Sequence, residues 1–331
     1  MKVPILLQNE RERTSVIYSV RHITTFLYEP AVRESVMELR LQPRSDDRQR
    51  CLKFHLDVDP GANIMEYRDF MGNIVHHFDI AESHNQIKLT SQALVEVDLE
   101  PAPGDGGTWK DLDALVEIED HWEMLLPSQF AQSSARLHAL AAELNCIRRD
   151  TPLQVLLELN QAIYRTFAYV PNSTKVDSLI DEALESRQGV CQDFAHIMIA
   201  LARQLQIPCR YVSGYLYRGE SATDRSVEGA SHAWVEALVP GAGWLAFDPT
   251  NNCMGEGRHI KVALGRDYAD VPPTRGVYKG GAQSELSVAV LVSPANAPTP
   301  AEMAPSMIIR SRPQFRPPSK RGDQEQQQQQ Q

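Results

Sequence analysis

The sequence has no excess of basic charge, no long apolar run and no paired set of cysteines. Lys and Arg number 33 against 43 Asp and Glu, a formal net charge of −10 over 331 residues. A chain of that sign lacks the basic stripe that neutralises nucleic-acid phosphates. It also lacks the polybasic patch that binds an anionic membrane surface. The longest strictly apolar runs, such as Ile197 to Ala202, fall far short of the ~20 residues that span a bilayer. The N-terminus turns charged after a short apolar stretch and does not read as a signal peptide. A soluble, cytoplasmic protein is expected, without nucleic-acid or membrane partners.

Cysteine is equally informative by its distribution. Cys51, Cys146, Cys191, Cys209 and Cys253 are odd in number and widely scattered. None of them forms a CxxC pair, no Cys/His cluster falls at zinc-ligand intervals, and there is no calcium loop. A disulfide framework is not expected, and neither a metal nor another cofactor is called for. The remaining question is whether one cysteine is a nucleophile.

With 42% hydrophobic residues the chain can bury a full core, and its length suggests about two domains at roughly 150 residues each. Residues 1–100 read as a β-rich N-terminal domain. Ile17–Tyr28 is dense in β-branched and aromatic residues, and Glu38–Gln42, Leu52–Val58 and Gln86–Val97 alternate apolar with polar. An antiparallel sandwich or barrel of about six to eight strands is expected. A Pro/Gly-rich stretch over 99–109 marks a boundary. Residues 101–292 then read as an α+β domain. Ser134–Leu144 has helical spacing, Thr151-Pro152 is an N-cap with proline at the first helical position, and a further helix begins near Cys191. Strands are expected over Cys209–Tyr217, Ser231–Leu238 and Trp244–Asp248. Residues 293–331 hold seven prolines and end in six glutamines, a composition expected to stay disordered. The basic residues Arg310, Arg312, Arg316, Lys320 and Arg321 make that tail a solvated segment or a weak docking arm.

Three pieces carry chemistry: Gly189-Val-Cys191-Gln-Asp-Phe-Ala195, Ser231-His232-Ala-Trp234-Val-Glu236, and Trp244-Leu-Ala-Phe-Asp248-Pro-Thr250. A cysteine in the first turn of a helix sits beside the positive end of the helix dipole, and a neighbouring imidazolium lowers its pKa further. Unpaired N–H groups at the same helix start can receive an oxyanion. Gly189 is expected to permit a tight turn before the helix. His232 and Asp248 lie 16 residues apart across a turn-rich stretch. A hairpin pairing 232 with 248 through a seven-residue connection, 237–243, puts both on one face. A carboxylate there fixes the imidazole tautomer and stabilises its charged form.

These pieces in this order resemble the transglutaminase-like superfamily, a papain-like Cys-His-Asp fold, in its bacterial branch with an N-terminal β-domain. The resemblance also rests on Pro208-Cys-Arg-Tyr-Val-Ser-Gly-Tyr215, Tyr18-Ser-Val-Arg-His-Ile-Thr-Thr25, Leu39-Arg-Leu-Gln-Pro-Arg44 and Asp69-Phe-Met-Gly-Asn73, and spans about residues 14 to 292. It implies Cys191 as nucleophile, His232 as base and Asp248 as orienter, with the cysteine helix packed on an antiparallel sheet. Tyr169 occupies the place of a family aromatic near the oxyanion site, with loop packing as the alternative. Gln192 is a candidate oxyanion donor through its backbone N–H, and Trp234 either walls the site or packs the core. Asp193 reads as a helix-start carboxylate, His196 as a histidine facing away from the thiol, and His76, His77 and His84 as ordinary strand residues.

Such a triad implies acyl transfer on a peptide or protein substrate through a thioester. Hydrolysis of a peptide or isopeptide-like amide, as by a cysteine protease or amidase, is the leading expectation. A transglutaminase with an amine acceptor and a non-catalytic peptide-binding module are the alternatives. The oligomeric state is not legible.

Overall fold

Strand β1, Ser15–Leu39, organises the N-terminal half of the computed structural model, which describes residues 15–99, 104, 106–118, 121–219, 224–226, 229–255 and 257–297. Most of the expected tail and part of the 99–109 linker lie outside the described residues. β1 is followed by β2 (Gln49–Asp59), β3 (Met65–Arg68), β4 (Ile74–Ile80) and β5 (His84–Asp98). All pairings are antiparallel, in the order β2-β5-β1-β4-β3. The first part of β1 pairs with β5 and its last part, Ser35–Leu39, with β4. One 25-residue strand thus serves two stretches of sheet, so the sheet curls into the expected sandwich-like form.

The second half contributes α1 (Trp109–Ile118), α2 (Ala135–Glu143), α3 (Pro152–Thr166), β6 (Ala168–Tyr169), α4 (Ile180–Ser186), β7 (Gln188–Gly189) and α5 (Cys191–Gln204). It continues through β8 (Cys209–Leu216), β9 (His232–Val239), β10 (Gly243–Asp248), β11 (Cys253–Met254) and β12 (His259–Gly265). The helix starts are those the sequence signals. Ser134 caps α2 by accepting from the Leu137 N–H, and Thr151 caps α3 by accepting from the Gln154 N–H ahead of Pro152. Strands β11-β10-β9-β8-β12 form a five-stranded sheet. Helix α5 packs on β8 and β9, and every residue from Gln192 to Arg203 is buried. A helix buried all round is the centre of its domain rather than a surface element.

Two further strands, β13 (Thr274–Lys279) and β14 (Gln283–Ala295), leave that domain and pair with β1. A boundary at 292 therefore runs through a strand of the N-terminal sheet, and the sequence reading differs here. The cause is non-local: a strand's partner is set by which sheet edge is open, which its own alternation does not encode.

The β-rich half also grips the edge of the second sheet. Gln49 donates to the Lys261 carbonyl at 2.9 Å and accepts from the Lys261 N–H at 2.8 Å. Asn73 does the same for Leu264, at 2.8 Å both ways. Two side-chain amides thus pair the backbone edge of β12 as a neighbouring strand would. Arg44 fixes Asn73 by donating to its Oδ1 at 2.7 Å. The stretches Leu39–Arg44 and Asp69–Asn73 serve this joint.

Candidate active site

Cys191 opens α5, with Val190 at the N-cap in extended conformation. The Asp193 carboxylate reaches back to accept from the Val190 N–H at 2.8 Å and from the Thr174 hydroxyl at 2.6 Å. It is the expected helix-start carboxylate. Burial raises its pKa against these hydrogen bonds. Gly189 is needed for space rather than for a turn. A Cβ there would lie 3.0 Å from Asp193 and from the Phe194 ring.

His232 begins β9 and Asp248 ends β10. The hairpin between them is tighter than expected. Glu236 pairs with Ala246 and Val239 with Gly243, leaving a three-residue connection, Pro240–Ala242. Gly241 and Gly243 both have φ +73, a left-handed conformation that glycine adopts without strain. The register differs by two residues from a 232:248 pairing. Continued by one residue, it sets Asp248 opposite Trp234 and diagonal to His232. An even shift preserves the face, so the two side chains still meet.

His232 Nε2 lies 2.8 Å from Asp248 Oδ2, with both residues buried. An ionised carboxylate only accepts, so Nε2 carries the proton. Nδ1 has no hydrogen-bond partner at normal reach among the described residues, and Cys191 acts on the same ring. Burial would lower the His232 pKa, but Asp248 and then Cys191 outweigh it and raise it to about 10. Burial pushes Asp248 upward in turn, yet His232 and a second histidine, His259, hold it well below the carboxylate range.

Sequence reasoning missed two partners of this carboxylate. Asn251 Nδ2 donates to Oδ2 at 2.8 Å, and His259 Nε2, at the start of β12, lies 3.1 Å from the same oxygen. The Thr250 and Asn251 backbone N–H groups donate to Oδ1 at 3.0 and 3.2 Å. Asn251 had a signal, since it directly follows the Trp244–Thr250 piece. His259 had none, because no spacing rule joins β12 to the end of β10.

The other expected site residues border the same groups in different ways. Trp234 is fully buried, with its ring 6.0 Å from that of His232 and 5.1 Å from that of His259. It both packs the core and backs the two imidazoles. Its ring fills the space over Gly214, where any Cβ would overlap it. Gln192 spends its side-chain amide on the Val176 carbonyl at 2.9 Å, leaving only its backbone N–H toward the helix start. Tyr169 pairs with Gly189 in a short parallel bridge and meets Phe194 edge-on. His196 faces the core, where its Nε2 accepts from the Tyr268 N–H at 3.2 Å. His84 is bonded to Ser35 and to the Glu82 carbonyl, and His76 pairs with Glu66.

Among the described residues, His232, Asp248 and His259 converge as a metal site would require, their ligand atoms within 4.8 Å of one another. Zinc at ~2.0–2.1 Å from each ligand would hold those atoms about 3.3 Å apart. The two nitrogens lie 2.8 and 3.1 Å from the oxygen, which is hydrogen-bond spacing that protons fill. A small cleft of about 50 Å³ adjoins His232 between Arg218, Ser226 and Gly229 on one side and Val290 and Val292 of β14 on the other.

A cysteine at a helix start beside a sheet that carries an imidazole and a carboxylate is the papain-like class of arrangement. Comparison with known proteins gives the family. A model of the bacterial transglutaminase-like N-terminal region matches residues 18–96, and the transglutaminase-like superfamily matches residues 141–249. An uncharacterized protein of Mycobacterium leprae is 34% identical over 276 residues, 83% of this chain and 97% of that protein. A protein-glutamine gamma-glutamyltransferase of Pseudomonas aeruginosa is 31% identical over 179 residues, 51% of this chain but only 26% of that protein. The crystal structure of a Cytophaga hutchinsonii protein shares the fold, with TM-score 0.68 at 23% identity over 86% of this chain and 93% of that one. The chain belongs to the transglutaminase-like superfamily, with a bacterial transglutaminase-like N-terminal region.

Proposed function

We propose that this protein is a thiol enzyme of acyl transfer on amide bonds. Cys191 is the nucleophile, His232 the general base and acid, and Asp248 the orienter. The observation that carries this reading is the 2.8 Å bond from His232 Nε2 to Asp248, which leaves Nδ1 unpartnered on the ring that Cys191 acts upon. In the resting pair Nδ1 already holds the proton of the Cys191 thiol, and the thiolate sulfur attacks the amide carbonyl carbon. Backbone N–H groups at the start of α5 are the donors we assign to the developing oxyanion. The C–N bond then breaks, the departing amine takes the proton from Nδ1, and a thioester remains. Water attacks the thioester, giving its proton to Nδ1, and the Cys191 thiolate leaves as the acid forms, which restores the charged pair. We favour a peptide or isopeptide-like amide as substrate.

The test is iodoacetamide alkylation across pH, mapped by peptide mass spectrometry on wild type and His232→Ala. Selective labelling of Cys191 well below pH 8, weakened in the variant, is the expected result. A Cys191 that reacts no faster than the other cysteines would sink the enzyme reading and favour a peptide-binding module. A second acyl acceptor, an amine, is favoured by the name of the Pseudomonas aeruginosa relative. Incorporation of a fluorescent primary amine into a glutamine-bearing protein, set against release of new peptide ends, separates transamidation from hydrolysis.

A further inference from the structure

Asp248 serves two histidines, and the nucleophile–base–orienter scheme uses only one. His259 Nε2 and His232 Nε2 lie 3.1 and 2.8 Å from the same oxygen, Oδ2. An ionised carboxylate has no proton to give, so both nitrogens must donate. The carboxylate does not need His259 to stay in place. Two backbone N–H groups hold Oδ1, and Asn251 holds Oδ2 at 2.8 Å. What His259 adds is competition for the oxygen that stabilises the His232 imidazolium.

We propose that His259 is a positioning residue that moderates the basicity of His232 by sharing Asp248 Oδ2 with it. The inference rests on the acyl-transfer reading for its purpose but not for its test. A donor on Oδ2 draws on its negative charge, whether the donor ring is neutral or charged, and weakens its hold on the other ring. In acyl transfer one ring must accept the thiol proton and then return it to the departing amine. A base held far above the working pH keeps its proton. With Asp248 and Cys191 already lifting the His232 pKa against burial, a divided carboxylate acts in the direction the chemistry needs.

No other described charge takes that role. Cys191 approaches His232 from α5. Arg218, in the adjoining cleft, is 3.8 Å from Asp224 and donates to the Asp224 and Ser226 carbonyls. Strand β14 presents Val290 and Val292, Trp234 offers an aromatic face, and Asn251 does not titrate.

The experiment is NMR of the full chain with ¹⁵N-labelled histidine, which needs no substrate. In wild type near neutral pH, Nε2 of both His232 and His259 should carry a proton. An unprotonated Nε2 on His259 would overturn the proposal without any variant. In His259→Leu the His232 titration midpoint should rise by roughly 0.5–1 unit, the equivalent of one modest hydrogen bond. In His259→Gln, whose amide still donates, it should stay near the wild-type value. A midpoint unchanged or lowered in His259→Leu overturns the proposal. If these shifts appear while Cys191 is inert to alkylation, the enzyme reading fails and the sharing of Asp248 stands.

Discussion

Asp248 accepts five hydrogen bonds while fully buried, so replacing it removes more than an orienter. In Asp248→Ala two imidazole N–H groups and two backbone N–H groups lose their acceptor together. A stability loss of about 3–5 kcal/mol is expected, read from urea unfolding midpoints. Asp248→Asn keeps the shape but cannot stabilise an imidazolium. It should fold and lose roughly 10²–10⁴-fold in turnover once a substrate is found. Near-normal turnover in Asp248→Asn would remove Asp248 from the mechanism. The remaining cysteines give a built-in control. Burial pushes Cys51, Cys146 and Cys253 up to about 11 and Cys209 up to about 12. All four should stay unlabelled by iodoacetamide below pH 8 in the folded protein, and early labelling of any of them would contradict their raised pKa values.

At the scale of elements, the site depends on how β12 is held. Asn73 satisfies both the N–H and the carbonyl of Leu264, and Gln49 does the same for Lys261. Asn73→Ala leaves a buried donor and a buried acceptor unpaired. A cost of about 1–3 kcal/mol for each is expected, seen in thermal or urea unfolding. Because His259 opens the same strand, the His232 titration should also shift in this variant. An unchanged titration would mean that the two ends of β12 are independent. Gly214 on β8 is the other dependency. Its missing side chain makes room for the Trp234 ring that backs both imidazoles. Gly214→Ala forces a Cβ into the Ile260 carbonyl and that ring. Overpacking of this kind costs about 1–3 kcal/mol. Slower alkylation of Cys191 should accompany it.

Over the whole molecule the buried histidines shape stability against pH. Burial lowers His196 to about 3, with Arg203 adding to it, and lowers His22 to about 4. Both are neutral in the native state, and the unfolded chain takes up their protons first as pH falls below about 6.5. Asp248, with a depressed native pKa, contributes stability above its unfolded value, and that contribution is lost as pH falls through the native one. His232 is the opposite case. Its raised pKa contributes fully below about 6.5 and is lost as pH rises through about 10. Urea midpoints should therefore peak near neutrality and fall on both sides, and His232→Gln should flatten the alkaline side. A wild-type plateau extending to pH 10 would show that His232 is not held charged. Much of this molecule was legible in its residues because the signals are local. Thr151-Pro152 and Ser134 start helices by capping, alternation marks β2 and β5, and Cys191 stands at a helix start within a motif. The even spacing of His232 and Asp248 put them on one face in either register. Only the tertiary structure decided the rest. The left-handed glycines Gly241 and Gly243 shortened the β9–β10 turn, and the open edge of β1 drew β13 and β14 back to the N-terminal sheet. The approach of His259 to Asp248 arises because a sheet brings together strand ends that no sequence spacing relates.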